Sequence, residues 1–246
     1  MKHSLTLFRH LALLVVVGLL AACGKEKEDL VSGTAGVLFT NAALAVPSLD
    51  AYVDNIKVSA VPITYGTTSG FPGSPYLSVN AGLRFISLSP DGSNNLVQGN
   101  IPLASDAAYS VFAYDTVNAA GTLRVLLLTD NLTPPTPGKS HIRYVQLSPD
   151  TGRIDIRLTN TTDTISYNAQ TYVPTGTATE ASLAVFRVVN PGNYNITIKN
   201  SSGITPPLSV PVTLADGKIY TIYSRGKKSN GYGTTTGFNI STVTHN

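Results

Sequence analysis

The chain of 246 residues repeats itself, and this repeat constrains the fold more than any other feature of the sequence. Segments of the first half recur in the second half in the same order, and the offset between them grows from 105 to 115 residues. The matched segments are Asn41–Asp50 with Gln146–Asp155, Val79–Gly82 with Val189–Gly192, Leu103–Tyr109 with Leu214–Tyr220, and Leu126–Asn131 with Ser241–Asn246. A growing offset with preserved order indicates duplication followed by loop insertions. The sequence therefore predicts two copies of one structural unit.

Within each repeat, apolar and polar residues alternate with the period of a strand that has one buried face. The alternation runs through residues 153–158 and 194–199, whereas residues 109–114 and 123–128 are apolar on both faces and are expected to lie centrally. Turn residues such as Pro90-Asp91-Gly92 separate the segments, and no capped helical pattern is found among them. About seven short strands per ~100 residues are typical of an immunoglobulin-like sandwich.

We therefore predict an all-β chain with two tandem immunoglobulin-like β-sandwich repeats that follow a lipoprotein signal peptide. The first repeat is placed at residues 34–132 and the second at residues 140–246. A proline-rich linker at residues 133–139 separates them, because proline lacks the backbone donor that a strand needs.

The N-terminal segment, residues 1–22, predicts export. Its apolar run, Leu11–Leu20, is shorter than the roughly 20 residues that span a bilayer as a helix, and it fits a signal peptide. The run ends in Leu20-Ala21-Ala22-Cys23, which resembles the lipobox of bacterial lipoproteins. The resemblance implies cleavage before Cys23 and attachment of lipid, such as palmitate, to that cysteine. Residues 23–33 are then the lipidated cysteine and a flexible tether.

The location predicted from this anchor is the cell envelope, on either the periplasmic or the outer face of the outer membrane. Gly24, rather than Asp, follows the cysteine, so the known inner-membrane retention signal is absent. The acidic cluster Glu26–Asp29 resembles a tag that exports some lipoproteins to the cell surface. The alternative is an ordinary signal peptide that is cleaved after Ala22 and leaves a free thiol.

Charge and cysteine content exclude several classes of protein. Of 17 basic side chains, Lys2 and Arg9 leave with the signal, so 15 face 14 acidic ones in the mature chain. This balance leaves no basic footprint for nucleic acid. Because Cys23 is the only cysteine, no disulfide within the chain and no cysteine metal site can form. We predict no cofactor and no metal.

The second repeat opens with a segment that resembles a known family. Gly138–Asp150 runs from a strand into a Ser-Pro-Asp turn, and Ile154-Asp155-Ile156 follows as a second strand. This arrangement resembles the opening motif of the domain-of-unknown-function family DUF4397. Tyr65–Gly70 and Leu126–Asp130 fit the same family, and the likeness covers most of residues 36–225. The first repeat departs from it, with Ala43-Leu44-Ala45 in place of Ser-Pro-Asp. The resemblance implies a secreted or lipid-anchored bacterial protein and brings no established activity.

Residues that could carry catalysis are scarce, and we assign no catalytic residue. The mature chain keeps two histidines, His141 and His245, and it has no Gly-x-Ser-x-Gly motif for a serine nucleophile. Carboxylate pairs could still hydrolyse glycosides. The candidate carboxylates are those of Asp50, Asp150, Asp155 and Asp163. We favour structural roles for them: a turn cap for Asp150 and same-face charge pairing with Arg153 and Arg157 for Asp155.

Aromatic residues in loops are the better candidates for binding. Tyr65, Phe71 and Tyr76 lie in a glycine-rich loop, and Tyr172 occupies the corresponding place in the second repeat. Exposed rings on the loops of a rigid sandwich are a common means to stack on sugars or meet a protein. The alternative is that these rings close the open ends of each sandwich.

The function predicted from these observations is that of a lipid-anchored, non-catalytic envelope protein. Its two β-sandwich modules would serve adhesion, assembly or ligand binding, with an envelope protein or a glycan as partner. The alternative is a carbohydrate-binding lipoprotein of a polysaccharide-uptake system.

Overall fold

Strands form where the sequence alternates. The computed structural model describes residues 32–70, 75–173, 178–200 and 208–246, so Cys23 and Phe71 lie outside the described residues. Strand Ile154–Thr159 buries its three apolar side chains and turns its polar ones outward, as its alternation predicts. Strand Ala108–Asp115 is buried on both faces, as its two apolar faces predict.

The first half contains two sheets. Sheet I consists of β1 (Thr34–Ala43), β5 (Leu77–Asn80), β8 (Ala108–Asp115) and β9 (Arg124–Asp130), in the order β5-β1-β8-β9. Sheet II consists of β2 (Ser48–Val53), β3 (Ile56–Lys57), β6 (Gly82–Ser89) and β7 (Val97–Leu103), in the order β3-β2-β6-β7, with β4 (Ile63–Thr64) paired to β2. The two sheets enclose a first apolar core that includes Phe39, Leu49 and Ile86.

The second half contains two further sheets and one short helix. Sheet III consists of β10 (Ser140–Gln146), β13 (Arg187–Val189), β16 (Ile219–Arg225), β17 (Lys227–Tyr232) and β18 (Gly237–Thr244), in the order β13-β10-β16-β18-β17. Sheet IV consists of β11 (Ile154–Thr159), β12 (Thr164–Gln170), β14 (Gly192–Asn200) and β15 (Ser209–Leu214), in the order β12-β11-β14-β15. A second core, which includes Ile142, Ile156 and Phe238, fills the space between them.

Strand pairing repeats in the two halves at the offsets of the sequence repeat. In sheet I, β1 runs parallel to β8 with Gly36 opposite Ala108, and in sheet III, β10 runs parallel to β16 with His141 opposite Ile219. Three further antiparallel pairings match in the same way. Ala35 pairs with Val79 as Ser140 pairs with Val189, and Gly82 pairs with Leu103 as Gly192 pairs with Leu214. Likewise, Tyr109 pairs with Thr129 as Tyr220 pairs with Thr244. The paired strands of one half therefore have equivalents in the other, at the offsets of the sequence repeat.

The two halves meet through sheets I and III. A third apolar core lies on the face of sheet I that the first core leaves uncovered, and it joins Leu38 and Phe112 to Val145 and Tyr223 of sheet III. Phe112 and Tyr223 are equivalent residues, and their rings contact each other with centroids 5.6 Å apart. Contact between equivalent residues indicates a pseudo-two-fold relation between the halves. Residues Ser32–Asn246 thus form one unit with the sheet order II, I, III, IV, and we call the contact between I and III the seam.

The all-β prediction is confirmed, and the immunoglobulin-like topology of each repeat stays a prediction. One helical turn was not expected: α1 (Glu180–Leu183) begins after Thr179, whose side chain accepts a hydrogen bond from the Ser182 backbone. No helix in the part of the chain described here is long and apolar enough to cross a bilayer.

Truncation of a ring at the seam should destabilise the whole unit. We expect Phe112→Ala to lower the free energy of unfolding by about 3–5 kcal/mol, because a cavity replaces the ring that contacts Tyr223. Urea denaturation measures this, and Val61→Ala, at a side chain that is 59% exposed, should change stability by less than ~0.5 kcal/mol. A loss below ~1 kcal/mol in Phe112→Ala would show that the seam contributes little.

Candidate functional site

The aromatic residues predicted to bind a ligand make contacts across the seam. The Tyr76 hydroxyl lies 2.6 Å from Nδ1 of His245 in the second half, and the ring of Tyr65 lies 4.6 Å from the guanidinium of Arg225. Tyr172 is buried and donates to Asp115 Oδ2 at 2.5 Å. The three described rings therefore do not line one open site, and their role in ligand binding stays a prediction.

A buried polar cluster interrupts the apolar seam. We call it the seam cluster, and it consists of Tyr76, Ser110, Asp130, Arg143, Thr221 and His245. Three members come from each half. By the offsets of the repeat, Ser110 is equivalent to Thr221, and Asp130 is equivalent to His245. The cluster therefore sits on the pseudo-two-fold axis.

Arg143 and Asp130 are the charged centre of the cluster. The two side chains are 1% and 0% exposed, and Arg143 Nη2 lies 2.6 Å from Asp130 Oδ1. That oxygen has no other hydrogen-bond partner among the described residues, whereas Oδ2 accepts from Ser110 at 2.6 Å. The guanidinium also lies 4.4 Å from the centroid of the Phe186 ring. Each charge is thus held by its partner in a site without water access, where removal of either would leave the other uncompensated.

His245 is neutral in this cluster. The pKa of His245 is lowered to about 4, mainly by burial; the charge of Asp130 opposes this change and the charge of Arg143 adds to it. Burial, followed by the charge of Asp130, raises the pKa of Tyr76, so its hydroxyl keeps its proton. Tyr76 donates to Asp130 Oδ2 and lies 2.6 Å from His245 Nδ1, so Nδ1 carries the imidazole hydrogen.

The other imidazole nitrogen completes a closed ring of hydrogen bonds. His245 Nε2 accepts from Thr221 Oγ1 at 2.7 Å, and that oxygen accepts from Arg143 Nε at 2.8 Å. Starting from Arg143, the ring passes through Thr221, His245 and Tyr76 to Asp130 and returns by the ion pair. A fully satisfied network of this kind fixes one arrangement of the two sheets.

The cluster contains the residue types of a hydrolase site, but its hydroxyls are closed off. Ser110 and Thr221 are both 0% exposed, so a substrate cannot reach either oxygen in this arrangement. Within the described ranges, no group of three or more His, Cys, Asp or Glu side chains is placed to hold a metal ion.

The four candidate carboxylates of the sequence lie apart in separate contacts. Asp50 Oδ2 is 2.8 Å from Lys57 Nζ, and Asp163 Oδ2 accepts from Asn190 at 3.1 Å. Asp155 Oδ1 accepts from the Ala169 backbone at 2.7 Å, in place of the expected pairing with its neighbouring arginines.

Asp150 does not cap its own turn, which corrects the expectation above. Its carboxylate reaches β17 and accepts from the backbone of Lys228 at 2.5 Å and of Ser229 at 2.9 Å. Burial opposes ionisation, but these hydrogen bonds together lower the pKa of Asp150. The turn thus joins two segments that are far apart in sequence, which local turn rules do not address.

Sequence reasoning did not identify the seam cluster, although two signals pointed to it. Arg143 is a charged residue inside the apolar β10 segment, which a buried strand does not tolerate without a partner. The alignment at an offset of 115 residues places His245 at the position of Asp130. Together they indicate a charged contact between the repeats, once the two positions are known to face each other.

Removal of the buried carboxylate should cost far more than removal of an exposed charge. We expect Asp130→Ala to lower the free energy of unfolding by about 3–5 kcal/mol, since Arg143 would remain buried without a counter-charge. Thermal or urea denaturation measures the loss. Lys57→Ala, which breaks an ion pair whose Lys57 side chain is 43% exposed, should leave the free energy of unfolding almost unchanged, because solvent screens the pair. Equal losses in the two variants would contradict the assignment.

Stability should fall in acid because of His245. Its pKa is 6.5 in the unfolded chain and about 4 in the folded one, so between these values only the unfolded chain takes up the proton. The free energy of unfolding should therefore fall by roughly 3 kcal/mol as the pH drops from 7 to 4. His245→Gln should remove this part of the slope, whereas the control His141→Gln should keep it. An unchanged slope in His245→Gln would contradict the prediction.

Three solved structures resemble this chain only distantly. A carbohydrate-binding module of family CBM26 from Eubacterium rectale, solved with maltoheptaose, shows 15% identity over 84% of this chain and 95% of its own, with a TM-score of 0.23. A leucine-rich repeat protein from Bacteroides thetaiotaomicron shows 13% identity over 80% of this chain and 26% of its own, with a TM-score of 0.21. A "putative cell adhesion protein" from Bacteroides eggerthii shows 10% identity over 87% and 95%, with a TM-score of 0.20. TM-scores this low carry no argument about fold or function.

Sequence comparison is more informative. No curated protein sequence matches the chain at a significant level. The profile of a family described as "Domain of unknown function (DUF4397)" matches residues 35–157, which is half of the chain and spans nearly all of the first repeat and the start of the second. This chain belongs to the DUF4397 family.

Proposed function

We propose that this protein is a lipid-anchored, non-catalytic module of the bacterial cell envelope that holds two fused β-sandwich halves out from a membrane for binding. The observation that carries the proposal is the position at which the chain enters the described unit. It enters at one end of the strands, so the opposite end of the strands lies away from the point of entry.

The entry end is defined by the start of β1 and the loops beside it. Gly33 O accepts from the Ala81 backbone at 3.0 Å, and Thr34 O accepts from the Asp106 backbone at 2.8 Å. Asp130 is the last residue of β9, and its equivalent His245 directly follows β18. His245 Nδ1 lies 3.9 Å from Asp130 Oδ2, so the equivalent ends of the two halves are on the same side. The entry end of the first half is therefore also that of the second.

The tether is short relative to the unit that it would hold. Nine residues, 24–32, separate Cys23 from Gly33, and fully extended they reach about 30 Å. The ten residues of β1 span about 33 Å, so the far end of the strands lies about that distance from the entry end. A lipid on Cys23 would hold the entry end within about 30 Å of the membrane.

The state of the reactive side chains supports a non-catalytic role. The hydroxyls beside His245 are closed inside the seam, and the candidate carboxylates serve separate structural contacts. The residues that could do chemistry therefore stabilise the joined sandwiches, which favours a rigid body built for presentation.

Loss of the lipidation site should release the protein. We expect Cys23→Ala to move it from the membrane fraction to the soluble fraction and to abolish its labelling by a radioactive fatty acid. Lys25→Ala, two residues further along the tether, should stay in the membrane fraction and keep the label. If Cys23→Ala stayed in the membrane with its label, the anchoring assignment would be wrong.

A further inference from the structure

We propose that the outer face of sheet II binds a neutral polysaccharide. An apolar stripe crosses this face from β2 over β6 to β7, and we call it the outer stripe; it consists of Tyr52, Leu83, Phe85 and Pro102. These side chains point away from the first core, because Ala51, Val53 and Ile86 between them point into it. The inference rests on the proposed binding role of the module and names its ligand class.

The aromatic rings of the stripe lie along the sheet. Tyr52 is directly opposite Ser87 across the β2–β6 pair, and Phe85 is its diagonal neighbour. Ser87 points outward by the alternation of β6, yet it is 2% exposed, so the side chains around it cover it. The Tyr52 hydroxyl extends to 2.9 Å from where a Cβ on Gly92 would lie. Both rings are therefore on the outer face and partly exposed, and Leu83, 66% exposed, lies on the same face.

The second half provides an internal comparison. By the offsets of the repeat, the positions of Tyr52, Phe85, Leu83 and Pro102 correspond to Arg157, Asn195, Asn193 and Thr213 of sheet IV. The backbone registers are the same, since Leu83 pairs with Pro102 as Asn193 pairs with Thr213. A polar outer face therefore suffices for this sheet, and the fold does not require the stripe. Its apolar character is a property that only the first repeat has.

The charges around the stripe favour a neutral ligand. Asp50 and Lys57 border it and pair with each other at 2.8 Å, so their two charges balance. Beside the stripe, β7 presents the exposed amide side chains of Gln98 and Asn100. Aromatic faces stack on the C–H side of a sugar ring, and amides donate to and accept from its hydroxyls. Among the described residues of this face, the one cation, Lys57, is paired, so the face does not attract the phosphates of a nucleic acid or an acidic glycan.

The length of the stripe favours a polymer over a single sugar. From Leu83 to the Ser87 position is four residues along β6, or about 13 Å. A chain of sugars can lie along this length and gain a small contribution at each ring. A monosaccharide would contact only one part of it.

Binding to soluble polysaccharides tests the inference. Full-length protein in detergent would be titrated by calorimetry with an α-glucan, a mixed-linkage β-glucan, a galactomannan and an arabinoxylan, with polygalacturonate as the acidic comparison. We expect at least one neutral polymer to bind, and we expect Tyr52→Ala and Phe85→Ala each to weaken that binding about tenfold. Tyr52→Phe keeps the ring and should retain most of the affinity.

The equivalent positions of sheet IV supply matched controls. Arg157→Ala and Asn195→Ala should leave the affinity unchanged, and circular dichroism would verify that every variant is folded. The inference is overturned if no neutral polymer binds, if only polygalacturonate binds, or if the sheet IV variants lose as much affinity as the sheet II variants. Because binding is measured in detergent solution, its result is independent of whether Cys23→Ala leaves the membrane, so failure of the anchor and failure of the ligand class are distinguishable.

Discussion

Packing of sheet I against sheet III is the contact on which the rest of this structure depends. The central strands β1, β8, β10 and β16 carry apolar side chains on both faces, and each sandwich core covers only one of them. A half on its own would expose a face that includes Leu38, Phe112 and Leu128, all of which the seam buries. Since burial of apolar surface is the main favourable contribution to folding, neither half is complete without the other. The unit of stability is therefore the pair of repeats.

The seam cluster decides how the two halves face each other. Apolar sheets can slide with little change in buried area, whereas a buried ion pair and a closed ring of hydrogen bonds are satisfied in one register only. In a truly symmetric pair, Asp130 would face a second aspartate at the axis. The duplicated chain has His245 there, with Arg143 at the position of Leu38, and like charges are avoided. Divergence of the repeats thus makes the symmetric contact electrostatically feasible.

The strands were predictable from the sequence because alternation reports burial directly. Residues 109–114 and 154–158 lie in the strands that their patterns indicate, and the offsets of the repeat reappear in the pairing registers. What covers the second apolar face of β8 was not predictable, because a hydrophobic pattern states that a face is buried and not by what. For the same reason, the sequence predicts exposed rings for the loop residues Tyr65, Tyr76 and Tyr172. In the structure, each of these side chains contacts a residue that is far away in the sequence. Asp150 shows the same limit at the scale of one turn, since its hydrogen-bond partners lie 78 and 79 residues away.

Comparison of the two repeats also separates the positions that the fold requires from the positions that serve one repeat only. Some positions keep the same role in both halves, which indicates that the fold requires them. Tyr109 and Tyr220 are an example, because each hydroxyl accepts a hydrogen bond from the backbone amide five residues earlier in the chain. Positions that differ at an identical backbone register are free of that requirement. The seam holds one set of such positions, where the difference joins the halves, and the outer face of sheet II holds another, where Leu83 is 66% exposed. The difference at the seam is explained by contacts between the two halves. The difference on the outer face of sheet II favours a contact with a partner outside the molecule.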